Sequence, residues 1–285
     1  MYTIKTICVC GAGTMGSGIA QVAALAGYQT IQFDVNGDML AKSKAGIEKN
    51  LQWLFSKGKL TAEQQAQCMQ GIIFSDQLNA CVADLIIEAI IEKKEAKTGL
   101  FNQLANINSP NTIFATNTSS IAITEIALAM QHPQNVIGMH FFNPAPLMKL
   151  VEVIKTEYTD ASVVSAIIQL AQTMGKTAVL CKDAPGFIVN RVARHYYLEA
   201  MKLVEQGLAT IENIDAVMEA TGFKMGPFKL MDLIGMDINY SVSHIVWEAL
   251  GKPERLTPSP LQKQKVAAGD LGRKTGKGFY VYGEL

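Results

Sequence analysis

The stretch TICVCGAGTMG, residues 6–16, decides the fold of the amino-terminal part of this chain. The five residues before the first glycine form an apolar run that predicts a strand, and a helical pattern follows as far as residue 25. Between strand and helix, Gly11, Gly13 and Gly16 have the G-x-G-x-x-G spacing of a phosphate-binding turn. The first glycine permits the tight turn, the second leaves room for a pyrophosphate, and the third allows close packing of helix on strand.

A carboxylate follows the second predicted strand. That strand covers residues 30–33 and ends at Asp34, where a carboxylate can accept hydrogen bonds from an adenosine ribose diol and would repel a 2′-phosphate. Residues 35–37 offer no Arg or Lys to neutralise such a phosphate. We therefore predict that NAD rather than NADP binds here, with Thr14 and Met15 of the turn among its contacts. The alternative is a glycine-rich turn beside a solvent-facing aspartate.

Short apolar runs alternate with amphipathic stretches as far as about residue 180, which is typical of βαβ units in a parallel sheet. The predicted strands are residues 6–10, 30–33, 72–74, 85–89, 112–115, 136–139, 150–154 and 177–180. A helix over 38–57 and another starting after Thr61, which begins a capping box, make one long crossover. The pattern predicts one Rossmann-type, doubly wound, mostly parallel eight-stranded sheet.

The pattern changes at the breaker cluster of residues 182–186, after which helices predominate. We predict a dinucleotide-binding domain over 1–183 and a helical domain for substrate binding and dimerisation over 184–285. Its predicted elements are a helix over 186–206, a helix over 211–220 capped by Thr210, helices from Pro227 and over 237–250, and a strand over 279–282. Its apolar side chains exceed what one helical layer can cover, which favours a homodimer; examples are Phe223, Met225, Phe228, Leu230, Met231 and Leu233.

Composition excludes several classes of protein. The 285 residues include 25 Lys and Arg against 25 Asp and Glu, so no nucleic-acid partner is indicated. Apolar runs fall short of the ~20 residues of a membrane span, so we expect no membrane partner. The first residues lack a secretory signal pattern, which predicts a cytoplasmic protein. Five cysteines without a C-x-x-C pair indicate reduced core thiols, and we predict no metal site.

One histidine has the position expected of a catalytic group. His140 follows the strand predicted over 136–139, and the carboxyl ends of parallel strands face the ligand crevice in this architecture. Glu152 interrupts the apolar run 150–154, where a buried charge is costly unless it is paired, so it is the candidate partner of His140. The alternative for Glu152 is an edge-strand residue facing water. The other histidines lie in a predicted loop or in helices: His132, His195 and His244.

Polar residues at two further places could contact a ligand. Residues 117–120 (Asn-Thr-Ser-Ser) supply an amide and hydroxyls after the strand predicted over 112–115. Asn190 follows Gly186 by one helical turn and therefore lies on the same helix face. Without further information, an ordinary polar helix residue is the simpler interpretation of Asn190.

Taken together, these motifs resemble the 3-hydroxyacyl-CoA dehydrogenase family, most closely its short stand-alone members, the 3-hydroxybutyryl-CoA dehydrogenases. The resemblance extends over nearly the whole chain. The matching stretches are residues 11–16, 117–120, 140–144, 148–154, 182–191, 225–228 and 272–280. The glycine motif is common to many families, and the other stretches are specific to this one.

The resemblance implies a reaction and roles for residues. It implies NAD-dependent oxidation of a 3-hydroxyacyl-CoA, with His140 as general base paired with Glu152, and with Ser119 and Asn190 contacting the reacting oxygen or the thioester. It further implies an acyl-CoA substrate and a dimer through the helical domain. Residues implied to lie near the cofactor are Glu92, Lys97, Asn117 and Asn143, and the residue implied to lie near coenzyme A is Lys57.

Two other functions remain open at this point. A dehydrogenase of the same fold could act on a free hydroxy acid or a sugar acid, and dependence on coenzyme A distinguishes the two. A non-catalytic NAD-binding protein could retain the fold without the chemistry. The presence of the set Ser119, His140, Glu152 and Asn190 argues against the second possibility.

Overall fold

The computed structural model describes residues 2–283 of the chain, which divides into two compact units between Asp183 and Ala184. The first unit is built on one eight-stranded sheet. In chain order its strands are β1 (Thr6–Cys10), β2 (Gln29–Phe33), β3 (Ile72–Ser75), β4 (Leu85–Glu88), β5 (Ile113–Thr116), β6 (Val136–Phe141), β7 (Leu150–Lys155) and β8 (Thr177–Lys182). Each lies where an apolar run predicts a strand.

The spatial order of the strands is β3-β2-β1-β4-β5-β6-β7-β8. All neighbouring strands are parallel except β6 and β7, which are antiparallel. This confirms the predicted doubly wound, mostly parallel sheet. The middle strands read as continuous apolar runs rather than alternating ones, because a parallel sheet is covered on both faces; residues 7–10 of β1, for example, have 0% exposure.

The helices of the first unit are α1 (Thr14–Leu25), α2 (Gly37–Ser56), α3 (Ala62–Gln70), α4 (Lys94–Ala105), α5 (Ile123–Ala127) and α6 (Ala161–Thr173). The predicted capping box at the start of α3 is present: the Thr61 hydroxyl accepts from the Gln64 N–H, and the Gln64 side chain accepts from the Thr61 N–H. The Asn36 side chain caps α2 by accepting the backbone N–H groups of Asp38 and Met39. Local side-chain hydrogen bonds thus set where these helices begin.

The second unit is helical, as predicted. Its helices are α7 (Val189–Glu205), α8 (Ile211–Ala220), α9 (Pro227–Ile234), α10 (Met236–Ala249) and α11 (Pro260–Ala267). They enclose a separate core that includes Tyr197, Met201 and Val246. Phe228 and Met231, which the sequence pattern places among the surplus apolar residues, are fully buried in this core, so they cannot contribute to a surface for dimerisation.

The predicted start of α7 at residue 186 is wrong. The helix begins at Val189, because Gly186 and Phe187 have φ angles of +73° and +47°, in the left-handed region. A Cβ on Gly186 would lie 2.8 Å from Cγ2 of Val246, so glycine also allows α10 to approach closely here. The breaker cluster therefore extends further along the chain than the sequence pattern indicates.

The strand predicted over 279–282 is also wrong. Only Val281 pairs there, through an isolated bridge to Lys277. The reason is a competing acceptor: the buried carboxylate of Asp232 accepts the backbone N–H groups of Phe279 and Tyr280 at 2.9 and 3.0 Å. Backbone donors satisfied by a carboxylate are not available to a strand ladder.

Within the described residues, no helix is long and apolar enough to cross a membrane. All five cysteines are free thiols. Four are buried, and Cys181 is half-buried.

Candidate active site

The glycine turn has the shape needed to hold a phosphate. Gly11 has a φ of +110°, and a Cβ there would lie 2.5 Å from the carbonyl oxygen of Ala89. A Cβ on Gly16 would lie 2.0 Å from the carbonyl oxygen of Gly11, whereas a Cβ on Gly13 would meet no atom within 4 Å. The turn is thus packed at its first and third glycines and open at its second. No side chain caps α1 at Gly13, so the first N–H groups of this helix are available to an anion.

Asp34 is held beside this turn. Its Oδ2 accepts the backbone N–H of Ala12 at 2.8 Å and its Oδ1 accepts that of Asn36 at 2.9 Å. The half-buried carboxylate is therefore oriented by two backbone donors and retains lone pairs for a further hydroxyl. An open phosphate cradle with an oriented carboxylate next to it fits a dinucleotide with a free ribose diol.

His140 and Glu152 are paired in the interior of the sheet. The antiparallel register of β6 and β7 sets the two residues directly opposite each other, and His140 Nδ1 lies 2.8 Å from Glu152 Oε2. His140 is 6% exposed and Glu152 is 1% exposed. The interpretation of Glu152 as a water-facing edge residue is wrong, because β8 pairs with β7 on its other side. His140 itself belongs to β6, which extends to Phe141, whereas the sequence pattern predicts that this strand ends at residue 139.

The residues after β5 are tied to this region by two side chains. The Asn117 Oδ1 accepts the backbone N–H of Phe141 at 2.8 Å, so it joins the end of β5 to the end of β6 next to His140. Glu92 holds the rest of the segment: its Oε1 accepts the Ser119 N–H at 2.9 Å and the hydroxyls of Thr118 and Ser120. Ser119 is thereby fixed by a carboxylate from a different loop.

A buried ion network lies beneath that segment. Lys97 Nζ is 2.6 Å from Glu88 Oε1 and 3.0 Å from Glu92 Oε2, and the side chains of Lys97 and Glu88 are 1% and 0% exposed. Glu88 also accepts the Thr116 hydroxyl at 2.7 Å and the Ile90 N–H at 2.7 Å. Glu88 is absent from the site residues that the sequence predicts, although it carries the same signal as Glu152: it is a charge at the end of an apolar strand, and Glu152 is a charge within one.

The charge on Glu92 is stabilised by its surroundings. Burial raises the pKa of its carboxyl, but the Lys97 ammonium and hydrogen bonds from Thr118, Lys97 and the Ser119 N–H outweigh burial and hold that pKa below its usual value. Glu92 is therefore an anionic anchor for the segment that carries Ser119.

The other predicted site residues lie at several places in the chain. Asn190 is in the first turn of α7, in the second unit, and is half-buried. Asn143 is exposed in the segment between β6 and β7, Thr14 is exposed at the start of α1, and Met15 is half-buried. Lys57 is exposed directly after α2. The roles of these five residues stay predictions.

Family comparisons match both units. A model of the 3-hydroxyacyl-CoA dehydrogenase NAD binding domain matches residues 6–184, and a model of the C-terminal domain of the same family matches residues 186–282. The chain belongs to the 3-hydroxyacyl-CoA dehydrogenase family. Its resemblance to that family is thus confirmed, and NAD is the dinucleotide that corresponds to the turn at Gly11, Gly13 and Gly16.

Individual members of the family align with nearly the whole chain. A 3-hydroxyadipyl-CoA dehydrogenase of Escherichia coli is 45% identical over 98% of this chain, which spans 59% of the length of that relative. A 3-hydroxybutyryl-CoA dehydrogenase of Mycobacterium tuberculosis is 38% identical, with 98% of this chain and 99% of the relative aligned. The crystal structure of the (S)-3-hydroxybutyryl-CoA dehydrogenase of Ralstonia eutropha superposes with a TM-score of 0.95 at 37% identity, covering 99% of this chain and 100% of that one.

Proposed function

We propose that this member of the family interconverts (S)-3-hydroxyacyl-CoA and 3-ketoacyl-CoA with NAD and NADH, and that the His140–Glu152 pair is its acid/base group. The observation that carries the proposal is the 2.8 Å contact between His140 Nδ1 and Glu152 Oε2 in the interior of the sheet. An imidazole whose tautomer is fixed by a carboxylate is suited to moving the hydroxyl proton in alcohol oxidation.

The pairing determines which nitrogen of His140 acts. If Nδ1–H donates to Glu152, the lone pair of the neutral ring is on Nε2, which then accepts the proton of the 3-hydroxyl. In ketone reduction the protonated ring donates from Nε2 to the 3-keto oxygen, while the Glu152 carboxylate stabilises the imidazolium. Bound NAD supplies the chemistry of hydride acceptance and donation at its nicotinamide. One imidazole therefore serves both directions.

Other residues take positioning and binding roles in this proposal. Ser119 and Asn190 contact the reacting oxygen or the thioester. Glu92 positions Ser119 by accepting the Ser119 backbone N–H. Lys97 acts through Glu92, because the Lys97 ammonium is buried between the carboxylates of Glu88 and Glu92. The residues proposed to line the cofactor are Gly11, Gly13, Thr14, Met15, Gly16, Asp34, Glu92, Lys97, Asn117 and Asn143. Lys57 is proposed to contact coenzyme A.

The relatives favour a short acyl chain. The Mycobacterium tuberculosis and Ralstonia eutropha relatives are named for 3-hydroxybutyryl-CoA, which we propose as a substrate of this chain, with acetoacetyl-CoA as its oxidised partner. The Escherichia coli relative is named for 3-hydroxyadipyl-CoA, whose six-carbon chain ends in a carboxylate. We further propose that the protein acts as a homodimer.

The test is an NADH oxidation assay with acetoacetyl-CoA, longer 3-ketoacyl-CoAs and free acetoacetate. We expect turnover with the CoA esters, a much lower rate with the free acid, and loss of turnover in His140→Gln. Comparable rates with free acetoacetate would favour a hydroxy-acid dehydrogenase. Binding of NADH without turnover of any of these compounds would favour a non-catalytic protein.

A further inference from the structure

A buried lysine of the first unit has no acidic partner. Lys176 directly precedes β8 and is 8% exposed, and within residues 2–283 no carboxylate forms a salt bridge with it. Its Nζ donates to the carbonyl of Ala145 at 2.6 Å and to that of Met148 at 2.9 Å. Burial lowers the pKa of this lysine, as expected for an ammonium that leaves water without a counter-charge. A buried cation with neutral partners is costly for stability, which favours a role beyond packing.

Both carbonyls belong to the segment 142–149, which joins β6 to β7. Within this segment the Leu147 and Met148 N–H groups donate to the Pro144 carbonyl at 3.0 Å each, which forms a single turn. No backbone N–H of the described residues donates to the carbonyl of Ala145 or of Met148. Because a carbonyl shielded from water needs a donor, the lysine supplies what the backbone does not. The ammonium therefore ties this turn to the start of β8.

The other side of the segment packs against α1. Ala145 is 2% exposed, and a Cβ on Gly18, in the second turn of α1, would lie 3.1 Å from Ala145 Cβ and 3.0 Å from Pro146 Cδ. The helix that begins at the phosphate-binding turn thus touches the segment directly. Gly18 on one side and Lys176 on the other together fix where the segment lies.

The segment carries groups of the proposed active site. It begins directly after β6, which contains His140, and the Phe142 ring lies against the imidazole with the two ring centres 4.6 Å apart. Asn143, the next residue, is among those proposed to line the cofactor. A shift of the turn at 144–148 would therefore move Phe142 away from His140 and Asn143 away from the cofactor.

We propose that Lys176 is a positioning residue for the dehydrogenase reaction: its ammonium holds the segment 142–149 in the place where Phe142 and Asn143 act. This inference rests on the proposed function. In this role Lys176 acts through the two carbonyls and not through a contact with the substrate. The effect of losing such a residue is large, because misplacing a group by about 1 Å can lower turnover by about 10²-fold.

The first test removes the ammonium. Lys176→Met keeps most of the length of the side chain but lacks the three N–H donors. We expect kcat for acetoacetyl-CoA reduction to fall by about 10–100-fold, and KM for NADH to rise by about 3–10-fold, the usual effect of one lost hydrogen bond. In hydrogen–deuterium exchange, the amides of Leu147 and Met148 should exchange faster than in the wild-type protein. The matched control is Lys149→Met, which changes an exposed lysine of the same segment and should keep the wild-type kinetics and exchange.

A second variant displaces the segment from the opposite side, and covers the possibility that Lys176→Met does not fold. The methyl group added by Gly18→Ala forces Ala145 and Pro146 to move by a few tenths of an ångström, although alanine itself favours a helix more than glycine does. We expect kcat and KM for NADH to change in the same directions as in Lys176→Met. The matched control is Gly46→Ala in α2, where the added methyl meets no atom within 4 Å; it should keep the wild-type kinetics.

Wild-type kcat and KM in Lys176→Met, with a lower melting temperature as the only change, would overturn the positioning role and leave the proposed function intact. A loss of turnover without faster exchange at Leu147 and Met148 would also overturn it, because the segment would not have been released. Wild-type kinetics in Gly18→Ala would count against it in the same way. No turnover of any CoA ester by the wild-type protein would overturn the proposed function, and the role of Lys176 with it.

Discussion

At the scale of single residues, His140 is the group on which the proposed chemistry depends. We expect His140→Gln to lower turnover of acetoacetyl-CoA by about 10²–10⁴-fold, the usual contribution of a positioned acid/base group. NADH binding should be nearly unchanged, because His140 is not among the residues proposed to line the cofactor. Steady-state kinetics and fluorescence titration with NADH measure the two effects separately.

The Glu152 variant tests whether the pair acts as one unit. Glu152→Gln should lower turnover less than His140→Gln does. The variant no longer fixes the tautomer of His140 or stabilises its imidazolium, but the imidazole ring is still present. The double variant should be little worse than His140→Gln alone, because residues acting together are non-additive. Losses that multiply, or a His140→Gln protein retaining more than about a tenth of wild-type turnover, would show that another residue moves the proton.

Asp34 should determine the choice between NADH and NADPH. The wild-type protein should prefer NADH, because an oriented carboxylate binds the ribose diol and repels a phosphate. Val35 is 83% exposed, so an arginine there can reach a 2′-phosphate. Asp34→Gly combined with Val35→Arg should shift the kcat/KM ratio toward NADPH by about 10–100-fold, because a hydrogen bond to a charged group contributes a factor of about that size to binding. Equal use of both cofactors by the wild-type protein, or no shift in the variant, would refute this role.

At the scale of elements, the pair Glu88–Lys97 joins β4 to α4. Lys97→Met leaves a buried carboxylate at Glu88 without its cation, and we expect a loss of about 3–5 kcal/mol in the free energy of unfolding, measured by urea denaturation. Adding Glu88→Gln to this variant should restore part of the loss by removing the unpaired charge. The matched control is Lys94→Met, whose partner Glu125 is exposed; it should cost about 1 kcal/mol or less.

Glu92, which precedes α4, makes the free energy of unfolding depend on pH. Because its pKa in the folded protein lies below the ordinary value of 4.5, its contribution to stability is complete above that value and is lost as the pH falls through the folded-state pKa. The difference in unfolding free energy between the wild-type protein and Glu92→Gln should therefore be constant from about pH 6 to 8 and shrink below about pH 4.5. A difference that grows on acidification would contradict this assignment of charge.

At the scale of the whole molecule, the second unit leaves apolar side chains exposed. Leu233 is 49% exposed and Ile238 is 50% exposed, with Phe223 at 51%. We expect a homodimer in sedimentation at micromolar concentration, and a monomer when Leu233→Glu is combined with Ile238→Glu, because charges are excluded from a buried apolar contact. The control is Leu128→Glu, which changes an exposed leucine of the first unit and should leave the dimer intact. A monomeric wild-type protein would refute the expectation.

The features that could be predicted without a structure are mostly local. The glycine turn, the limits of α1, the capping box at Thr61 and the position of Asp34 each depend on residues a few positions apart, so the order of residues along the chain is enough to locate them. The eight strands could also be located, because each is an apolar run long enough to be recognised. The predicted helix start at residue 186 was wrong because Gly186 and Phe187 have left-handed backbone angles. The strand over 279–282 was wrong because the distant carboxylate of Asp232 accepts its backbone N–H groups.

Which buried charges meet depends on how the strands and helices pack. The reversal of β7 relative to β6 sets Glu152 opposite His140, and side-chain periodicity does not encode strand direction or register. In the same way, Glu88 pairs with Lys97, and Arg194 donates to neutral acceptors on α10, through contacts that depend on how the elements pack. A charge in an apolar run indicates that a partner exists, because burying it alone costs too much. The sequence pattern offers Glu152 as the candidate partner of His140, but it does not offer Lys97 as the partner of Glu88, because that pairing depends on how α4 packs against β4.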